Sequence, residues 1–225
     1  MPEPNGIWTL EEARSSHLHS PALAEALGSH LPLAEAVVDL GCGMGYYAHA
    51  LQQAGWEGRA FDDTPDLDSI GVFRGIEVAD LSQPFTLTAQ ASVISFEVGE
   101  HIPPESEQTF LDNLAATTKR RLILSWAVPN QGGKGHINER SNDYIINEMA
   151  KRGFVFKSKP TDSLRSVTED DVWWFKESLM VFDRLKVGLA VIAKNESKNI
   201  GRAIDSVIDF VDEFCFDLSG TTDDT

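Results

Sequence analysis

The stretch AEAVVDLGCGMGYY, residues 34–47, constrains the fold of this chain more than any other. It begins as a short apolar run that suits a buried parallel strand and ends on Asp39, Gly41, Gly43 and Gly45. The residues that follow, YYAHALQQAGW, have helical spacing and stop at Gly55. Alternate glycines let a backbone turn sharply and approach a ligand with no Cβ in the way. The first N–H groups of the helix have no partner within it. Such a turn either presents backbone donors to a ligand at a sheet edge or is only a tight connection.

The alternation continues along the chain. TLEE (Thr9 to Glu12) is a capping box, and SPALAEALGSHL opens a helix with Ser20 as N-cap and Pro21 at the first helical position. EGRAFDD, GIEVADL, ASVISFEV and KRRLILSWAVP read as strands. ESEQTFLDNLAATT and NDYIINEMAKRG read as helices, the second capped by Ser141 or Asn142. DVWWFKESLMVFDR is expected to give one or two strands, with Trp173 and Trp174 in the sheet core. Strands alternating with helices predict an α/β sheet with helices on both faces.

A chain of 225 residues with 42% hydrophobic and 24% charged residues can bury a full core. Its net charge of −16 works against binding nucleic acid or an anionic membrane, because phosphate is held mainly by Lys and Arg. Two cysteines, Cys42 and Cys215, cannot build a disulfide framework or a cysteine zinc site. MPEPNGIWTL lacks the basic start and apolar core of a signal peptide, and no apolar run approaches the ~20 residues that span a bilayer. A cytoplasmic protein without a membrane partner is expected.

Gly-x-Gly-x-Gly after Asp39 differs from the Gly-x-Gly-x-x-Gly of dinucleotide folds. It resembles motif I of the class I S-adenosylmethionine-dependent methyltransferases, and the resemblance runs in order and spacing from Val37 to about Arg184. It implies a domain over residues 1–185 with a Rossmann-like α/β fold. The sheet would have seven mostly parallel strands and a terminal antiparallel strand, a role suited to WWFKESLMVF. It also implies S-adenosylmethionine as cofactor, lying along Asp39, Gly41, Cys42, Gly43 and Gly45. Asp62, with Asp63 as the alternative, would bind the ribose hydroxyls. Asp80 would bond the adenine amino group, Leu81 would line its pocket, and Phe96 would lie against the cofactor.

SFEVGEHIP (residues 95–103) places Glu97, Glu100 and His101 where a buried strand reaches the surface. In this fold that is the carboxyl edge of the sheet, where open α/β sheets bind ligands. His101 could take a proton from an acceptor hydroxyl. Alternatively Glu97, Glu100 and His101 could hold a divalent metal, with His136 from NQGGKGHINE as a fourth ligand. The Glu-x-x-Glu-His spacing resembles the small-RNA 2′-O-methyltransferases and the ubiquinone-biosynthesis O-methyltransferases, which implies a metal here. Mixed carboxylate and imidazole ligands suit Mn²⁺, Fe²⁺ or Zn²⁺ better than Mg²⁺. A structural alternative has Glu97 on the cofactor, Glu100 capping a helix and His101 packed under the loop. His17, His19, His30 and His49 fall on predicted helices as surface or core residues, and Cys42 is expected to pack.

The tail, residues 186–225, reads as a partial strand-helix-strand extension: GLAVIA, NIGRAIDSVIDF and EFCFDL. It resembles the incomplete start of a family 2 glycosyltransferase, with AKNE leaving the first strand. The aspartate usual at the end of the second strand aligns with Leu218, and Asp217 lies one position early, so independent glycosyl transfer is not expected. A strand pair packed on the first domain or on a second copy is the alternative. By association the tail points to a sugar hydroxyl of a glycan as methyl acceptor and to a glycosyltransferase partner or fused domain. A cofactor-binding scaffold without turnover is the competing function.

Overall fold

The structure is a computed structural model that describes residues 8–31, 36–208 and 211–225. The chain divides into two compact units, Met1–Arg184 and Leu185–Thr225.

The larger unit opens with α1 (Leu10–Ser16) and α2 (Pro21–His30), followed by β1 (Val37–Leu40), α3 (Tyr46–Gln53), β2 (Gly58–Asp62) and β3 (Ile76–Val78). Then come β4 (Gln90–Ser95), α4 (Glu107–Thr117), β5 (Thr118–Ser125), α5 (Asn142–Lys151) and β6 (Phe154–Phe156). It closes with α6 (Ser158–Val167), the single helical turn α7 (Phe175–Ser178) and β7 (Leu179–Arg184). The strands form one sheet in the order β3-β2-β1-β4-β5-β7-β6. β7 pairs antiparallel with both β5 and β6, and the other pairs are parallel, so the expected seven-stranded α/β sheet is present.

The two-residue period of each strand sorts its side chains between two cores. Val38 and Leu40 of β1, Leu122 and Leu124 of β5, and Met180 and Phe182 of β7 pack with Phe110, Leu114 and Met149 of α4 and α5. Val37, Ile123, Leu179 and Val181 point the other way, against Leu23, Leu27, Leu51 and Leu164 of α2, α3 and α6. A buried aliphatic side chain contributes roughly 1.5–3 kcal/mol, so this sorting fixes the register. The pairs Leu40↔Phe61, Asp39↔Ile94 and Ser95↔Leu124 bring the carboxyl ends of the central strands level.

Both predicted N-terminal caps form. The Thr9–Glu12 box is reciprocal, and Ser20 Oγ accepts from Leu23 N at 2.9 Å. Ser141, rather than Asn142, caps α5. One of the one or two strands expected in DVWWFKESLMVFDR forms, and the placing of its tryptophans needs correction. Only the end of DVWWFKESLMVFDR is strand: Asp170–Val172 is a 3₁₀ turn, and Lys176 N and Ser178 N donate to Trp173 O and Trp174 O. Trp173 and Trp174 therefore lie outside the sheet: Trp173 is 45% exposed, and Trp174 packs partly buried against the core that Phe175 enters fully. The helix α6 over SKPTDSLRSV is an element that the sequence reading lacks. Pro160 fits because it is the third residue of the helix, where an N–H would have no intrahelical partner.

In the smaller unit β8 (Gly188–Ile192) and β9 (Glu213–Asp217) pair in parallel, joined through α8 (Ile200–Asp205), as the tail's pattern predicts. The predicted end of the helix, residues 209–210, lies outside the described residues. No helix among the described residues is long and apolar enough to cross a membrane.

Candidate functional site

A cavity of about 450 Å³ opens at the carboxyl edge of the larger unit's sheet. Its first wall is the β1–α3 turn. Gly41 (φ 77°) and Gly43 (φ 51°) adopt left-handed backbone that a side chain would strain. Space forbids one as well: a Cβ on Gly41 would lie 2.4 Å from Val98 Cγ2, and one on Gly43 would lie 2.5 Å from His17 Nδ1. Gly45, also left-handed, is the N-cap of α3 and lies against Phe73 rather than the cavity. Cys42 and Met44 complete the turn, and both are buried.

Asp39 is the penultimate residue of β1, just before this turn. Its Oδ2 is buried and has no hydrogen-bond partner among the described residues. Burial, with Asp62 nearby, pushes its carboxyl up to about 8. Asp62, at the end of β2, accepts from Gly43 N at 2.8 Å and from Thr64 N at 2.9 Å, so it braces the glycine turn. Asp63 stands beside it on the cavity wall, its carboxyl pushed up to about 7 by burial and then by Asp62. Asp80 is exposed and accepts from Ser82 N and Ser82 Oγ at 2.9 and 2.6 Å, while its neighbours Ala79 and Leu81 line the cavity. Phe96 lines it too, edge-on to Tyr47 and Phe175.

The second wall follows β4. Glu97 has a left-handed backbone (φ 53°), a conformation that costs on the order of 1–3 kcal/mol outside glycine and is concentrated at functional sites. Glu97 N donates to Ser125 Oγ at 2.8 Å. Its carboxylate is occupied on both oxygens, by Gln131 Nε2 at 2.6 Å and Ser178 Oγ at 2.9 Å. Three residues on, Glu100 is fully buried in a 3₁₀ turn, and its Oε1 has no hydrogen-bond partner among the described residues.

Glu100, His101 and His136 bring one ligand atom each within 4.8 Å of one another. His101 Nδ1 donates to Gly135 O at 3.2 Å, which leaves Nε2 with its lone pair. Burial is the main cause that pushes this imidazole down to about 4, so it is neutral near pH 7. Glu97, expected as a ligand, is not one of the three residues whose ligand atoms converge, and its two oxygens accept from Gln131 and Ser178.

The loop after β5 is fastened to this turn. Ile137 N and Asn138 N both donate to Glu100 O, at 2.9 and 3.0 Å. Trp126 Nε1 donates to Asn138 O at 2.7 Å, and Arg140 pairs with buried Glu107 at 2.6 Å. Ahead of α1, Trp8 lies edge-on to both His17 (5.2 Å) and His101 (5.3 Å), and Lys134, paired with Glu12 at 2.6 Å, stands over its ring.

Sequence reasoning missed several wall residues. His17 and His19 were expected on helices, yet both fall in the α1–α2 connection and line the cavity, because α1 ends at Ser16. His30 and His49 do lie on helices, away from it. The Trp173–Trp174 pair lines the mouth. A carboxylate three residues after a histidine in GGKGHINE was the one available sign of Glu139, which lies 3.0 Å from His136.

No family model and no curated protein matches the sequence. Many solved structures share its fold, and prominent among them are methyltransferases. The magnesium protoporphyrin IX methyltransferase of Synechocystis PCC 6803 with bound S-adenosylhomocysteine superposes with a TM-score of 0.56 at 19% identity, over 72% of this chain and 80% of that one. A 1,6-didemethyltoxoflavin-N1-methyltransferase from Burkholderia thailandensis, bound to its substrate and S-adenosylhomocysteine, gives 0.56 at 15% identity over 78% and 83%. A TehB-like S-adenosylmethionine-dependent methyltransferase from Corynebacterium glutamicum gives 0.56 at 16% identity over 78% and 93%. The likeness is one of fold: an α/β unit with a seven-stranded, mostly parallel sheet.

Proposed function

We propose that this chain is an S-adenosylmethionine-dependent O-methyltransferase whose acceptor is a sugar hydroxyl of a glycan, with a divalent metal assisting. One observation carries the reading: a single cavity is lined both by the side-chain-free glycine turn above Asp39 and by His101 and His136 of the Glu100 cluster.

The residues fit the cofactor. Gly41 and Gly43 leave room that a Cβ would fill, and Asp39 offers an unpartnered buried oxygen that an ammonium group would satisfy. Asp62, with Asp63 as the alternative, would face a ribose: both line the cavity, and each Asp62 oxygen accepts one backbone N–H and keeps a lone pair for a hydroxyl. The cofactor supplies an electrophilic methyl group on a sulfonium. The chain's contribution is to hold the acceptor in line with it, and positioning of this kind supplies much of a rate enhancement. Trp8, Trp173 and Trp174 line the cavity, and aromatic side chains of this kind suit the apolar face of a sugar ring.

The residues also fit a metal: Glu100 brings an unpartnered oxygen, and His101 a neutral imidazole with Nε2 free. One carboxylate and two imidazoles suit Mn²⁺, Fe²⁺ or Zn²⁺. Such an ion supplies positive charge that lowers the pKa of a hydroxyl beside it. The sugar acceptor, and a glycosyltransferase as partner or fused domain, draw their support from the tail's resemblance.

The test is calorimetric titration of S-adenosylhomocysteine into metal-stripped protein, with and without Mn²⁺, followed by methyl-transfer assays on sugar acceptors. Binding together with Mn²⁺-dependent transfer supports the proposal. Binding without transfer to any glycan favours a cofactor-binding scaffold, and no binding at all sinks both.

A further inference from the structure

Glu139 and Gly133 have no part in the reading above, yet both act on His136. Oε1 of Glu139 accepts from His136 Nδ1 at 3.0 Å and from Gly132 N at 2.9 Å, and Oε2 accepts from Asn130 N at 2.8 Å. One carboxylate thus closes the loop from Asn130 to Glu139 and takes an imidazole proton. A carboxylate only accepts, so His136 Nδ1 carries a proton, and in the neutral ring the lone pair is then on Nε2. That Nε2 lies 4.0 Å from Glu100 Oε1, a buried oxygen with no direct hydrogen-bond donor among the described residues.

Gly133 gives the ring its seat. A Cβ there would lie 2.2, 2.5 and 2.6 Å from His136 Nε2, Cε1 and Cδ2, all closer than real contacts. No left-handed φ requires a glycine at this position, so it is the imidazole that does. Relief of such a clash would have to come from the ring or from the backbone at Gly133, because Ile137 N, Asn138 N and Arg140 N tie the residues after His136 to Glu100 O and Ala127 O.

We propose that Glu139 and Gly133 are positioning residues that hold His136 as its Nδ1–H tautomer, with Nε2 presented to Glu100 as a metal ligand. The ligand role rests on the metal reading above; the tautomer does not. An outer carboxylate that takes the second N–H of a ligating histidine typically changes metal affinity by about 10–100-fold.

Two measurements on the full chain separate the two claims. Nitrogen-15 NMR of the imidazoles in metal-free protein reports the tautomer directly. His136 is expected as Nδ1–H in wild type and shifted toward Nε2–H in Glu139→Ala, with Glu139→Gln retaining it in part. Calorimetric titration with Co²⁺ then reads affinity. Glu139→Ala and Gly133→Ala should bind about 10–100-fold more weakly than wild type, and Glu100→Gln more weakly still. Unchanged S-adenosylhomocysteine binding in each variant shows that the fold is intact. An Nδ1–H His136 in Glu139→Ala would overturn the positioning role. So would wild-type Co²⁺ affinity in Glu139→Ala alongside a loss in Glu100→Gln. If the tautomer shifts as expected but wild type takes up no Co²⁺, the ligand assignment falls together with the metal reading.

Discussion

At the scale of single residues, the site concentrates carboxylates where water is scarce. Asp39 is held near 8, against about 3.8 for an ordinary aspartate, first by burial and then by Asp62. The sign follows from proton counting. Between roughly pH 4 and pH 8 the unfolded chain has lost this proton while the folded chain keeps it, so folding stability falls as pH rises through that window. Asp39→Asn should therefore raise the melting temperature of cofactor-free protein at pH 8 and have little effect at pH 4.5, while weakening S-adenosylhomocysteine binding. Thermal melts across that range, paired with calorimetry, check both halves. His101→Ala tests the other wall: cofactor binding should persist while methyl transfer falls by on the order of 100-fold or more. Unchanged turnover would remove His101 from the mechanism.

At the scale of elements, the strand-to-turn junctions do most to place these groups. The β1–α3 turn has room for hydrogen alone at Gly41, where Val98 crosses it. Gly41→Ala should cost roughly 1–2 kcal/mol through its left-handed backbone, more with the clash, and should weaken S-adenosylhomocysteine binding in calorimetry. Strand side chains that face a helical layer take no part in the chemistry. Leu124→Ala on β5, fully buried against α4 and α5, should cost about 2–5 kcal/mol in urea unfolding and leave cofactor affinity unchanged while folded. Strand, turn and cap could be read from the sequence because each is decided locally, by period, glycine spacing or an N-cap side chain. The segment from Ser158 to Ser178 could not. Its helix starts without a side-chain cap, and its tryptophans read as strand until Phe175 is seen to fill the core.

At the scale of the whole molecule, the two units make separate commitments. The larger one holds the full seven-stranded sheet, both helical layers and the cavity. A chain ending at Arg184 should therefore fold and bind S-adenosylhomocysteine with unchanged affinity. Circular dichroism melts and calorimetry test this, and failure to fold would refute the division at that point. The smaller unit has two parallel strands and exposes Ile192 and Phe216, whereas parallel sheets are ordinarily covered on both faces.

By itself the sequence determined the α/β alternation, the glycine turn after β1 and the placing of Glu97, Glu100 and His101 at the end of β4. Those features follow from spacing along the chain, which fixes which side chains share a face and where a strand must stop. Tertiary structure alone decided which of the candidates meet. It drew His136 to Glu100 through backbone bonds from the following residues, engaged Glu97 with Gln131 and Ser178, and brought His17 over Gly43. Contacts between residues tens of positions apart depend on how the loops close over the sheet. No periodicity records that closure, because it is set by hydrogen bonds and steric fit that exist only once the core has formed.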